Sequence, residues 1–168
     1  KGRSEARNIG NEKASAPIIM VLDADDMATR NRAKDTITAF ELKKCDLLYG
    51  SFWVVDGLGN VAQNGRIPAA AFDPVVCREK KLNFICHSTM AYRKGVTLNI
   101  PYDTGEYGRL VIYDWKFQWD CFKKGYSMKH IKNPLSYYRA RKTSQSAVRN
   151  QKDVVNLKEE YLNALVKV

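Results

Sequence analysis

The sequence predicts an α/β protein, a mixed sheet flanked by helices, and three observations carry that expectation. Ile18-Ile19-Met20-Val21-Leu22 is a continuous apolar run behind Ala16-Pro17, the pattern of a strand buried on both faces. It ends abruptly in Asp23-Ala24-Asp25-Asp26, which puts carboxylates at the strand's carboxyl end, where open α/β sheets place ligands. Segments with helical spacing then alternate along the chain with β-branched and aromatic runs.

Taken in order, residues 3–14 predict a helix, which Ala16-Pro17 ends ahead of the strand over 18–22. Thr29 to Lys44 carries Ala33, Ile37 and Phe40 at helical spacing, one apolar stripe of a second helix. Asp46 to Val55 is rich in aromatic and β-branched residues and reads as a strand. Asp56-Gly57-Leu58-Gly59-Asn60 is a turn into a short returning strand near Val61. Residues 64–83, with Pro68 and Pro74, fit a loop or a short helix. His87 to Arg93 alternates as a strand, and Asn99 to Gly108 is a loop long enough to carry function. Leu110 to Lys124 predicts a helix with Trp115, Trp119 and Phe122 on one stripe and Gly125 as its stop. Two short strands follow, near 127–131 and 135–140. Ser144 to Val168 is an amphipathic helix with Val154, Leu157, Leu162 and Leu165 on its apolar side.

A chain of 168 residues, 45% apolar and 27% charged, is enough for one domain with a real core. No run approaches the roughly 20 apolar residues of a membrane span, and no signal peptide opens the sequence. Lys1 is not an initiator Met, which suggests a fragment or processed form. Cys45, Cys77, Cys86 and Cys121 are scattered without a CxxC pair, and only His87 and His130 accompany them, so reduced cytosolic thiols fit better than structural zinc. The net charge of +10 is concentrated between Cys121 and Lys152, where nine Lys or Arg residues occur and no acid. That field favours an anionic partner, a nucleotide diphosphate or a phospholipid surface, or is simply a solvated face. Nucleic acid is disfavoured, because no helix-turn-helix, zinc-finger or RNA-binding sheet motif accompanies the charge.

Two acids spaced one residue apart along a strand end can point to one side, which suits a hard divalent cation shared with substrate phosphates. A plain turn with Asp as helix cap is the competing reading.

In motif order the chain resembles family 2 glycosyltransferases of the GT-A fold. Gly2-Arg3-Ser4-Glu5-Ala6-Arg7-Asn8-Ile9-Gly10 looks like the family's Gly-x-x-x-Ala-Arg-Asn-x-Gly helix. Ile18 to Asp26 is similar to its strand and DXD motif, and Ser88 to Arg93 to the segment leading toward the acceptor side. Tyr113-Asp114-Trp115 stands where the family has Glu-Asp opening a helix, and Pro134 to Arg139 matches its "epL-x-yYR" strand. The resemblance implies a partial GT-A mixed sheet, with residues 1–147 as the central and acceptor-side portion and 148–168 as a C-terminal helix of the same domain. It implies an enzyme that moves a sugar from a nucleotide-diphosphate donor to a glycan, lipid-linked or protein acceptor, inverting and dependent on Mn²⁺ or Mg²⁺. On that pattern Asp25 holds the metal, and Arg7, Asp23, Asp25 and Arg141 face the donor. Asp26 supports the loop, and Asp114 is the catalytic base. Thr89, Glu106 and Trp115 are the acceptor-side candidates, with Asp103 and Glu106 as reserve bases.

Three departures matter. Tyr138-Arg139-Ala140-Arg141 puts a cation where many relatives have a His, and Arg141 can contact phosphate but cannot ligate metal. The processive synthases' Gln-x-x-Arg-Trp motif is absent, which argues for single-sugar transfer. At the front, the roughly eighty to a hundred residues of βαβ structure that hold the nucleobase in relatives are missing, comparable with half a doubly wound domain. Weak donor binding and little activity are expected of these residues alone. The expected location is cytoplasmic, with peripheral contact at the inner face of a membrane through the basic surface, and the long C-terminal helix offers a surface for a homo-oligomer. The rival reading is a noncatalytic basic module on the same fold that binds membrane or nucleic acid.

Overall fold

The computed structural model describes residues 2–80, 85–105, 107, 112–140 and 151–166. Helix α1 (Arg3–Lys13) leads into β1 (Ile18–Met20); β2 (Met27–Ala28) follows the acidic turn, and α2 (Arg32–Lys43) leads to β3 (Leu47–Val55). A hairpin brings back β4 (Val61–Ile67), followed by α3 (Pro74–Lys80), a 3-10 turn (His87–Thr89), β5 (Ala91–Arg93) and α4 (Lys94–Asn99). Then come α5 (Tyr113–Lys123), β6 (Met128–Arg139) and α6 (Gln151–Val166). The sheet order is β1-β5-β3-β6-β2, with β4 paired to β3. β3 and β6 are parallel; β5 is antiparallel to both β1 and β3, so β1, β3 and β6 all deliver their carboxyl ends to one edge.

Side-chain alternation along β3 divides the core. Leu47 and Tyr49 face Tyr92, Val96, Tyr102, Phe117 and Cys121, under α4 and α5. Leu48 faces Ala39, Phe40, Cys45 and Ala91, under α2. A third cluster joins Cys77, Trp115 and Trp119 to Tyr161 and Leu162 of α6. The four cysteines are free, and burial pushes the Cys77 and Cys86 thiols up to about 12, so they remain protonated.

Several expectations change. Ile18–Met20 is half-buried rather than enclosed, because among the described residues β1 has β5 on one edge only. The inward stripe of α2 is Arg32, Thr36, Ala39 and Phe40, and Ile37 is exposed: the helix is turned so that Arg32 reaches the Val21 carbonyl beneath it. The strand expected over 87–93 begins with a 3-10 turn, and the two strands expected over 127–140 are one, bulged opposite Gly50–Phe52. Gly125 does end α5, in the left-handed region at φ 76°. The expected starts at Leu110 and Ser144, and the side chains of Val154, Leu157 and Leu165, lie outside the described residues.

The bulge explains one glycine. A Cβ at Gly50 would meet Leu135 side-chain carbons at 2.6 and 2.7 Å and the Asn133 carbonyl at 2.8 Å. Gly50→Ala is therefore expected to cost about 1–3 kcal/mol by overpacking, read as a lower urea midpoint with an unchanged m-value.

Candidate active site

The carboxyl ends of β1, β3 and β6 meet at the Asp23–Asp26 turn, closed by an Asp26 N–H donating to the Asp23 carbonyl at 3.0 Å. Its three carboxylates have three different environments. Asp26 is buried; it accepts from the Ser88 hydroxyl and, at 2.8 Å, from the Arg139 N–H. Burial raises its pKa against those two hydrogen bonds. Asp23 is paired with the Arg7 guanidinium and lies 3.3 Å from His87 Nδ1. Burial would raise its pKa, but the hydrogen bonds from His87 and Arg7 and the guanidinium charge outweigh that and hold it down at about 2. Asp25 is exposed, with no hydrogen-bond or ion-pair partner for its carboxylate among the described residues.

The frame around Asp25 is tight. Arg139 donates from Nε to the Asp25 carbonyl at 3.0 Å and from Nη1 to the Gly57 carbonyl at 2.7 Å, tying the acidic turn to the β3–β4 hairpin. From the other side, the Asp23 N–H donates to Ser88 Oγ at 3.1 Å. The Ala-Arg-Asn segment of α1 now has a physical role. Arg7 faces Asp23, while Asn8 grips both the N–H and the carbonyl of Tyr102 at 2.8 Å each. Tyr102 in turn places its hydroxyl 2.9 Å from His87 Nε2. With Nδ1–H donated to ionised Asp23, Nε2 accepts from that phenol, whose pKa burial pushes well up.

Arg7 also lies over the Tyr113 ring, 4.8 Å from its centroid, which sets the start of α5 against the acidic turn. Asp114 follows in the first turn of α5, half-buried, its Oδ1 accepting from the Trp115 N–H at 2.8 Å. The Lys158 ammonium, 5.2 Å above the Trp115 ring, feels its charge.

The structure thus brings together Arg7, Asp23 and Asp25, with Tyr113-Asp114 beside them. Thr89 is fully buried and donates to the Cys86 carbonyl, and Trp115 is 2% exposed between Trp119 and Tyr161. Asp103 pairs with Lys116 at 3.8 Å. Arg141 and Glu106 lie outside the described residues. His87 is the contributor the sequence reading passed over; the available signal was its position directly before Ser88.

Among the described residues no group of three or more His, Cys, Asp or Glu side chains could hold a metal ion. A protein cage is not what Mg²⁺ needs, since it binds through one or two carboxylates plus substrate phosphates. One exposed carboxylate on a fixed turn, with its two neighbours engaged elsewhere, fits that mode.

The electrostatics of Asp23 carry a prediction. Its folded pKa of about 2 lies below its ordinary 3.8, so its stabilisation is complete above about pH 4 and is lost as pH falls through about 2. Asp23→Asn is expected to cost about 2 kcal/mol at neutral pH and almost nothing near pH 2, from urea midpoints at both. Asp26, shifted the other way, recovers some stability on protonation and blunts the wild-type acid loss. A pH-independent deficit in the Asp23 variant would contradict this.

A mixed sheet with an acidic turn at its strand ends is the GT-A arrangement, and comparison with solved structures shows that fold. The structure of S. aureus TarS 1–349 in complex with UDP is similar over 84% of this chain and 41% of that one, at 16% identity and a TM-score of 0.58. TarS 1–349 in complex with UDP-GlcNAc matches over 89% and 42%, at 16% identity and a TM-score of 0.56. The chain therefore spans about two fifths of the length of those two structures. The glycosyl transferase family 2 profile matches residues 1–100, and the chain belongs to that family. No curated protein matches it in sequence.

Proposed function

We propose that this chain is the metal-binding and acceptor-side part of an inverting glycosyltransferase. In this reading residues 1–147 are that portion, and 148–168, which include α6 (Gln151–Val166), belong to the same domain. The observation that carries the reading is the division of labour in the acidic turn: the Asp23 and Asp26 carboxylates are locked into the frame, and Asp25 is the exposed one of the three. Its donor is a nucleotide-diphosphate sugar, and the UDP and UDP-GlcNAc bound to TarS make a uridine nucleotide the first to try.

In the reaction, the bond from the anomeric carbon to the diphosphate breaks and one to the acceptor oxygen forms on the opposite face. Asp114 takes the acceptor hydroxyl's proton, and the nucleoside diphosphate leaves as an anion. Asp25 would hold Mg²⁺ or Mn²⁺, which would supply neutralisation of the charge on the departing diphosphate. Ionised Asp23 orients toward the ribose while pinning Arg7 and His87, and Arg139 fixes the backbone on which Asp25 stands. The acceptor is a glycan, a lipid-linked sugar or a protein.

The test is thermal stabilisation by a panel of nucleotide sugars with and without Mn²⁺. A rise in Tm that needs both donor and metal supports the reading; donor binding indifferent to chelator removes the metal from it. Anion binding with no donor preference would favour a noncatalytic module. Among the described residues no helix is long and apolar enough to cross a membrane.

A further inference from the structure

Among the described residues the basic run that begins at Cys121 is not one patch, because β6 carries it the length of the sheet. Arg139 ends at the acidic turn, while Lys123, Lys124 and Lys129 stay at the opposite end, where β3 and β6 begin. β3 has nine residues, so the two ends are about 30 Å apart. Lysines at the far end cannot serve the donor phosphates, and their concentration there needs another account.

Hydrogen bonds stitch this end into one surface. The Arg93 N–H donates to the Asp46 carbonyl, the Asp46 N–H to the Ser127 carbonyl, and the Lys94 N–H to the Pro17 carbonyl. Asn99 of α4 donates to the Tyr126 hydroxyl at 3.0 Å. The last turns of α2 and α5 and both ends of α4 are therefore neighbours. Lys43, Lys44, Arg93, Lys123, Lys124 and Lys129 are all exposed there. The acids at this end are Glu12, Glu41 and Asp46, with Asp103 and Asp120 lining a cavity beside Lys123 and Lys124; the Asp46 carboxylate is occupied by the N–H and hydroxyl of Ser127, Asp120 by Lys116 and Tyr161, and Asp103 is paired with Lys116. Among the cations stand two leucines: Leu42, 79% exposed in the last turn of α2, and Leu98, 71% exposed in α4. Positive charge around isolated, fully presented leucines matches the headgroup and upper acyl layers of an anionic bilayer.

We infer that this end of the sheet is a docking face for an anionic phospholipid surface. Docked in this way, the chain holds its acidic turn about 30 Å from the headgroups, facing water. The inference is independent of donor chemistry, so its failure would leave nucleotide binding untouched, and the reverse.

The experiment is cosedimentation of the chain with vesicles of phosphatidylcholine alone and with about 30% phosphatidylglycerol added. Binding to the anionic vesicles only, released by roughly 0.5 M salt, is expected. Reversing Lys43, Lys44, Lys123 and Lys124 to Glu should weaken that binding at least about tenfold, and Leu42→Ser with Leu98→Ser several-fold. Circular dichroism melts establish that the variants fold; the comparison of vesicle compositions decides the matter without them. Equal binding to both vesicles, or undiminished binding by the charge-reversed chain, would overturn the inference. A single-stranded RNA oligonucleotide bound as tightly as the anionic vesicles, with the leucine variant unimpaired, would mark a general polyanion site and overturn it too.

Discussion

Replacing Asp25 with asparagine is expected to abolish the Mn²⁺-dependent rise in Tm produced by a nucleoside diphosphate, while leaving the unliganded Tm within about a degree of wild type, as usual for an exposed substitution. The asymmetry follows from the turn. The Asp25 carboxylate is exposed, and the frame holds the residue through its backbone carbonyl, which asparagine keeps. The amide loses the charge that a hard cation requires, so metal-bridged affinity should fall by about a hundredfold or more, on the order of 3 kcal/mol. Asp26→Asn is the control with the opposite signature. It disturbs a buried acceptor of the Ser88 hydroxyl and the Arg139 N–H, and should lower Tm in the absence of any ligand. Titration calorimetry with Mn²⁺ and UDP on the two variants separates the outcomes. Metal-dependent binding retained by Asp25→Asn would move the ligand role elsewhere in the turn.

The pattern of the acidic turn and the order of the elements were legible because local rules set them. An apolar run ending in carboxylates, helix periods and a terminating glycine each depend on a few neighbouring residues. What failed depended on neighbours distant in sequence. The sequence does not reveal that α6 packs on Trp115 or that Thr89 is buried in the turn before β5. Ile37 fits a helical stripe, but α2 is rotated to bring Arg32 to a strand carbonyl, which no period reveals. His87 was hidden because its partners, Asp23 and Tyr102, are 64 and 15 residues away. The described part of the run of cations is spread for a geometric reason: contiguity in an extended strand separates charges in space.

In the active enzyme, Asp114→Asn should lower kcat by about a hundred- to ten-thousandfold with donor affinity unchanged, the range for loss of a positioned general base. Position supports the assignment. Tyr113 lies under Arg7, and Arg7 is paired with Asp23, so the first turn of α5 abuts the donor side of the acidic turn. The alternative role is a first-turn acid stabilising the helix dipole. The two predict different losses. Asparagine keeps the acceptor for the Trp115 N–H, so a dipole role alone would cost about 0.5 kcal/mol of stability and leave turnover near wild type. A base role removes proton acceptance and little else. The decisive measurement is kcat and donor KM for both proteins, with Tm recorded alongside. A large kcat loss with unchanged Tm and donor KM assigns the proton to Asp114; an unchanged kcat transfers that role to another acid.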